Sequence, residues 1–450
     1  MQAIDPTLFQ RSAQEPARHR VAIFNVKFSP NLGDGIIAEC LEGALRRADP
    51  RLDPVSIDLA GRTEYSPLHG RRRARVLSIM ERMPAPLRAL LVPAVLMLLV
   101  KLRFAPRWRH ELAGCDSVVV GGGNLFQDVD QNFPIKIAAA LKLAAAQSLP
   151  VAVASVGVSG RWSAAGARRI VTQLLRTRLV SVSARDLGSV ATWGLVMSPC
   201  GVTPAGYAPD PALLSARQYG PRPQAACGGT GAVGLCITAP MALRLHHEGT
   251  HNDDVMEAWY YTAARELVQA GRRLVLFTNG SPEDRLFRDR LRLRLEGQPG
   301  IGFAPDFACP RELAQSLAGF ECVLAHRLHA CIVAYAYKVP TVGFAWDAKL
   351  RSFFEQTGRG EFVVDPRSTC PMDLPDIAAQ AIVRGVDGTT HADLVDRAAR
   401  AIDGLAARLV SSASMARPAH PPAPPPAHWP DGVPMPAASP IAGPIAAASR

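Results

Sequence analysis

Short apolar runs bounded by polar residues alternate with longer segments in which apolar side chains recur every three to four positions. The runs at 21–26, 54–59, 116–121, 151–156 and 179–184 are too short for helices and predict the buried strands of a parallel sheet. Helical periodicity fills the intervals: Ile36, Ile37, Cys40, Leu41, Ala44 and Leu45 share one face, and a basic helix is predicted over 164–177. Residues 219–232, rich in Gly, Pro and Ala, interrupt the pattern. It resumes with strands at 233–238, 273–278, 301–304, 322–325 and 340–346 and helices at 253–270, 283–295, 311–318 and 330–337. Strand and helix alternating twice over predict an α/β chain of two Rossmann-like, doubly wound domains facing a cleft.

The first domain is expected over 20–218 after a flexible 1–19, the linker over 219–232, and the second domain over 233–410. From 411 to 450 the chain has eleven prolines among forty residues. Such a segment buries too little apolar surface to offset its ordering entropy and is expected to be a disordered tail.

At 450 residues the chain is long enough for two domains, each with its own core. The net charge of +11 taken alone suggests nucleic acid or a membrane surface. Its distribution decides against nucleic acid, because an insertion at 61–110 carries eleven Arg or Lys against two acids and so holds most of the excess. The same insertion contains twelve uncharged apolar residues at 89–100, short of the ~20 needed to span a bilayer. Basic flanks around a short apolar helix predict a segment, 71–109, lying on an anionic membrane surface. The competing reading is a helical hairpin packed on the domain. The nine cysteines are scattered without a C-x-x-C pair, and the amino terminus lacks the apolar core of a secretory signal, so a reducing cytoplasm is expected.

Candidate chemistry gathers where strands hand over to helices. The first strand ends in Asn31-Leu-Gly33-Asp34-Gly, with Asp34 the expected helix N-cap. The third ends in Gly121-Gly122-Gly123-Asn124, a turn that admits close backbone approach. It matches neither a dinucleotide fingerprint nor a P-loop. The strand at 179–184 delivers Arg185-Asp186, and 322–325 delivers His326-Arg327-Leu-His329. The last strand is followed by Asp347, a helix cap, and Lys349. An arginine at a strand end suits a two-pronged grip on carboxylate or phosphate oxygens, so the expected guest is an anion. His246, His247 and His251 lack an acidic or cysteine partner at metal-site spacing, and no metal is expected.

The run R-L-H-A-x-I-x-A from Arg327, followed by P-T-V-G-F-x-W-D-x-K from Pro340, resembles the carboxyl-terminal signature of the polysaccharide pyruvyl transferase family. The N-x-G-D turn at Asn31, the glycine turn at 121–123, the R-D at Arg185 and the D-P at Asp210 fit the same family, across roughly 20–390. The resemblance implies a GT-B-like fold and transfer of pyruvate from phosphoenolpyruvate onto sugar hydroxyls of a polysaccharide or lipid-linked glycan, forming a ketal and releasing phosphate. No cofactor is implied beyond phosphoenolpyruvate as donor substrate. Arg185 and Arg327 are then expected to hold the donor, with Lys349 adding charge for the leaving phosphate. His329 is the expected proton donor, since imidazole titrates near neutrality. Asp34 or Asp186 is the expected base, and Asn31, Gly33, Gly121 to Gly123, Asn124 and Asp347 line the substrate cleft. Two other readings fit the same pattern: a GT-B glycosyltransferase using a nucleotide sugar, and an inactive scaffold in glycan assembly. The acceptor sugar and the oligomeric state have no signature in the chain.

Overall fold

The computed structural model describes residues 18–66, 83–222, 231–241, 253–345 and 348–414. In chain order the first half carries β1 (His19–Asn25), α1 (Leu32–Ala48), β2 (Leu52–Asp58), α2 (Ala85–Leu99), a π-helical turn (Val100–Phe104), α3 (Ala105–Leu112), β3 (Ser117–Gly121) and α4 (Asn132–Ala146). It continues with β4 (Pro150–Val156), α5 (Ala164–Arg176), β5 (Arg178–Ala184), α6 (Leu187–Val196), β6 (Gly206–Tyr207) and α7 (Ser215–Tyr219). The second half carries β7 (Ala232–Cys236), α8 (Asp253–Gln269), β8 (Arg273–Phe277), α9 (Pro282–Leu295), β9 (Ile301–Phe303), α10 (Pro310–Gly319), β10 (Cys322–Ala325) and α11 (Leu328–Ala336). It ends with β11 (Thr341–Phe344), α12 (Ala348–Gln356), β12 (Val363–Val364), α13 (Leu374–Arg384) and α14 (Gly388–Ser414).

The strands form two six-stranded parallel sheets, in the orders β2-β1-β3-β4-β5-β6 and β12-β11-β10-β7-β8-β9. In each sheet the strand order reverses once, between β1 and β3 in the first and between β7 and β10 in the second. The crevice beyond the carboxyl ends at such a reversal is where open α/β sheets hold ligands. Those two crevices are built from the segments after β1 and β3 and from those after β7 and β10. One face of the first sheet packs with α1 and α14 into a core continuous with the second domain, and the other face packs under α3, α4 and α5.

Four expectations about organisation change. Tyr219 belongs to α7 and is buried, its hydroxyl donating to Glu39, so the change of domain begins at Gly220, a left-handed glycine with φ +96°. The tail does not begin at 411, because α14 runs to Ser414, with Ser412 buried and its carbonyl accepting from Arg178. Nor does the chain after 233 remain with the second domain: α14 crosses back to pack on α1, β4 and β5, since its apolar stripe of Leu394, Ala398, Ile402, Leu405 and Leu409 needs the cover that the first domain offers. The apolar helix expected at 89–100 extends without a break from Ala85 through the π turn to Leu112. The arginines at 71–75 and 82, the first nineteen residues apart from 18 and 19, and the tail beyond 414 lie outside the described residues.

Candidate active site

The first-domain wall of the cleft starts at the amino end of α1. The helix is capped by Asn31, whose side chain accepts from the Gly33 N–H at 3.3 Å, and not by Asp34, which sits in the first turn where a carboxylate meets the positive end of the dipole. Leu32 donates its N–H to the carbonyl of Asn279 in the second domain at 2.8 Å, which anchors this turn across the cleft. Gly33 is required by proximity: a Cβ there would stand 2.8 Å from the Cβ of His329. Facing α1, Gly122 and Gly123 adopt φ of +78° and +79°, a region that L side chains rarely enter. Gly123 accepts from the Gly157 N–H at 2.8 Å, tying the turn after β3 to the turn after β4. A Cβ on Gly123 would come within 4.0 Å of the Asp34 carboxylate, which makes no hydrogen bond among the described residues and faces this glycine turn.

Arg185 ends β5 and is buried, and its guanidinium spans the domains. Its Nη1 donates to Asp210 Oδ2 at 3.1 Å and stands 3.1 Å from His329 Nε2, while Asp210 Oδ2 is 3.6 Å from the same nitrogen. Nε2 of His329 thus lies between a group that only donates and a carboxylate that only accepts. Asp210 is fully buried; burial pushes its carboxyl up, but His329 and Arg185 beside it outweigh this and bring it down to about 2. The Nε of Arg185 is buried, makes no hydrogen bond among the described residues and stands 3.7 Å from Asp186 Oδ2. Asp186 is committed elsewhere: as N-cap of α6 it accepts from the Ser189 N–H at 2.7 Å and from the Ser189 hydroxyl at 2.9 Å. Asp186 also lines the cavity between Arg185 and Lys349, whereas the Asp34 carboxylate faces the glycine turn after β3 without a hydrogen bond among the described residues.

From the second domain, Lys349 on α12 reaches across to Asn124 and to Ser159 Oγ, the latter at 3.2 Å. Arg327, at the N-cap position of α11, is held by Asp284 of α9, with Nε and Nη2 donating to Oδ2 at 2.9 and 2.6 Å. The two arginines expected to hold the donor are each set by a buried carboxylate, Arg185 by Asp210 and Arg327 by Asp284. Burial pushes the Asp284 carboxyl up to about 6, against the pull of Arg327. Around Arg327 the second reversal point presents Thr238 Oγ1 and Asn279 Nδ2, both buried and without a hydrogen-bond partner among the described residues. Asp347, His246, His247 and His251 lie outside the described residues.

Arg185, His329, Lys349, Asn124, Gly33 and Asp34 therefore meet at one cleft, as the strand-end pattern predicts. Asp210, Gly157, Ser159 and Asp284 join them. Asp210 stands in the sequence as the D-P element; the other three sit in segments without a distinctive pattern. Between Arg185, Asp210 and Lys349 the cavity is about 20 Å³, room for about one water. A larger cavity of about 460 Å³, lined by Arg20, Ser56, His110 and Glu111, lies beside α3 and includes none of the cleft residues.

Among solved structures, the fold is similar to a putative UDP-N-acetylglucosamine 2-epimerase from Listeria monocytogenes, at 13% identity and a TM-score of 0.52, covering 90% of this chain and 99% of that one. It is likewise similar to S. aureus MnaA in a co-structure with UDP, at 12% identity and a TM-score of 0.50, covering 84% and 94%. These place the architecture among GT-B-type enzymes. No curated protein matches. The model of the polysaccharide pyruvyl transferase family matches residues 31–348, from the α1 cap to the residue before Lys349, and on that match the chain belongs to the polysaccharide pyruvyl transferases, an enzyme family.

Proposed function

We propose that this enzyme transfers pyruvate from phosphoenolpyruvate to two hydroxyls of a sugar, in a polysaccharide or a lipid-linked glycan intermediate, as a step in building a cell-envelope glycan such as an exopolysaccharide. The cytoplasm, at the inner face of the membrane where such intermediates carry their lipid, is the proposed setting. The observation that carries the reading is the contact of Arg185 with His329 across the cleft, with Asp210 behind both. It sets an anion grip and a proton donor side by side, which the donor's carboxylate and its vinyl carbon require together.

In this reading the Arg185 guanidinium, and Arg327 through the donors Asp284 leaves free, hold the carboxylate and phosphate of the donor. The arriving anion takes the guanidinium away from His329. The imidazole Nε2–H, steadied by Asp210, then protonates the vinyl methylene as a sugar hydroxyl attacks C2 and yields its proton to Asp34. Lys349 faces the phosphate as the C2–O bond breaks. A second hydroxyl closes the ketal. Of the two hydroxyl protons, one ends on the new methyl group and the other on phosphate, so the step needs no further reagent or cofactor.

Calorimetric titration with phosphoenolpyruvate and with a panel of nucleotide sugars tests the donor. Binding of phosphoenolpyruvate by the wild type, lost on Arg185→Ala, with phosphate released in the presence of acceptor, is the expected result. Binding and release of a nucleotide instead would favour a glycosyltransferase, and binding of neither would favour a scaffold.

A further inference from the structure

The helix Pro86–Leu112 is long and apolar enough, by length and composition, to cross a membrane. Its attachments decide otherwise. Near its amino end Arg88 is clamped to Asp130, with Nε donating to Oδ1 at 3.1 Å, and Asp130 lies six residues beyond Asn124 of the cleft. Towards its carboxyl end Val100, Phe104, Trp108 and Leu112 are buried in the first-domain core, and Arg107 donates to the carbonyl of Gly61 at 3.1 Å. Both ends are held on one domain, so the helix lies along that domain and does not leave it.

What remains is an outward face. Leu87, Leu91, Val95, Leu98 and Leu102 follow one another at helical spacing, flanked by Leu90 and Met97, and all are exposed; Leu90, Val95 and Leu102 are 71%, 62% and 67% accessible. Seven such side chains on one face make an apolar surface of several hundred Å², the order of size that marks an interaction site. The carboxyl half of the same face turns basic through the exposed Lys101, Arg103 and Arg109.

Resting on the proposed reaction at a lipid-linked acceptor, we propose that this face seats in an anionic lipid leaflet, lying parallel to the surface, and thereby holds the rim of the cleft against the membrane. Charge selects the occupant. A second copy packed helix on helix would meet the collar with a helix whose one acidic residue is Glu111, whereas an anionic leaflet complements the collar and accepts the leucines. Orientation follows from the Arg88–Asp130 clamp, which puts the apolar half of the helix at the same end of the first sheet as Gly123, Asn124 and Asp34.

The test is co-sedimentation of the full chain with vesicles of phosphatidylglycerol and phosphatidylcholine, and with vesicles of phosphatidylcholine alone. The wild type is expected to sediment with the anionic vesicles and to be released by salt. Leu90→Asp with Leu98→Asp, both on exposed positions, should lower partition about tenfold or more, and Lys101→Glu with Arg103→Glu should do so chiefly at low salt. Phosphoenolpyruvate binding should be unchanged in both. Wild type that stays in the supernatant, or leucine variants that sediment normally, would overturn the leaflet contact while leaving the pyruvyl transfer reading in place. Dimers dissolved by the leucine substitutions would equally overturn it in favour of a self-interface. Vesicle binding without phosphoenolpyruvate binding would sink the reaction and leave the surface standing.

Discussion

Asp210→Asn isolates the residue on which Arg185 and His329 both lean. Oδ1 accepts from the Ala212 N–H at 3.0 Å and Oδ2 from Arg185 Nη1 at 3.1 Å. An asparagine amide keeps one of these only by pointing its NH₂ at the other donor, so one buried polar group is left unpaired whichever way it turns. The fall of the carboxyl from 3.8 to about 2 corresponds to roughly 2 kcal/mol at 1.36 kcal/mol per tenfold. That agrees with the ~1.5–3 kcal/mol expected for one charge-assisted hydrogen bond. The folded carboxyl lies below its unfolded value, so the stabilisation is present above about pH 4 and is lost as pH falls through about 2. The gap in stability between wild type and variant should therefore be full at pH 7 and shrink below pH 4, read by urea unfolding. In steady-state phosphate release, kcat/KM for phosphoenolpyruvate should fall about thirtyfold if the same energy is lost at the transition state. A rate within twofold of wild type, or a stability gap as large at pH 3 as at pH 7, would refute the argument that Asp210 orders this site by its charge.

His329→Gln is expected to bind phosphoenolpyruvate and to lose turnover by about 10² to 10⁴, because an amide hydrogen-bonds but does not protonate carbon; single-turnover kinetics with bound donor measures it, and a rate near wild type makes the imidazole structural. Arg327→Ala should weaken donor binding and also destabilise the fold by about 3–5 kcal/mol, since it strands the fully buried Asp284. Adding Asp284→Asn should return most of that stability and none of the affinity; calorimetry and urea unfolding on the pair separate the two effects, and affinity restored in the double variant would show that Arg327 acts only on folding.

Periodicity placed the elements because it reports which side of each segment is apolar, a local property. The strand at Cys322–Ala325 and the helices Asp253–Gln269 and Pro282–Leu295 follow from it within a residue or two. Strand ends then marked Arg185, Arg327 and His329, because a strand-to-helix turn is legible as a break in period. Tertiary packing decided the partners. Asp210 reaches His329 across more than a hundred residues, and Asp284 takes the guanidinium of Arg327, through distances that no local pattern encodes. The cap of α1 is Asn31 and not Asp34, and the turn it closes is held to the other domain by the Leu32 N–H on the Asn279 carbonyl. The apolar segment read as a short helix became one helix of 27 residues, because Phe104, Trp108 and Leu112 found a core that carried the helix past its basic residues. The final helix went to the first domain because its stripe of leucines met cover there, and cover exists only once both sheets are folded.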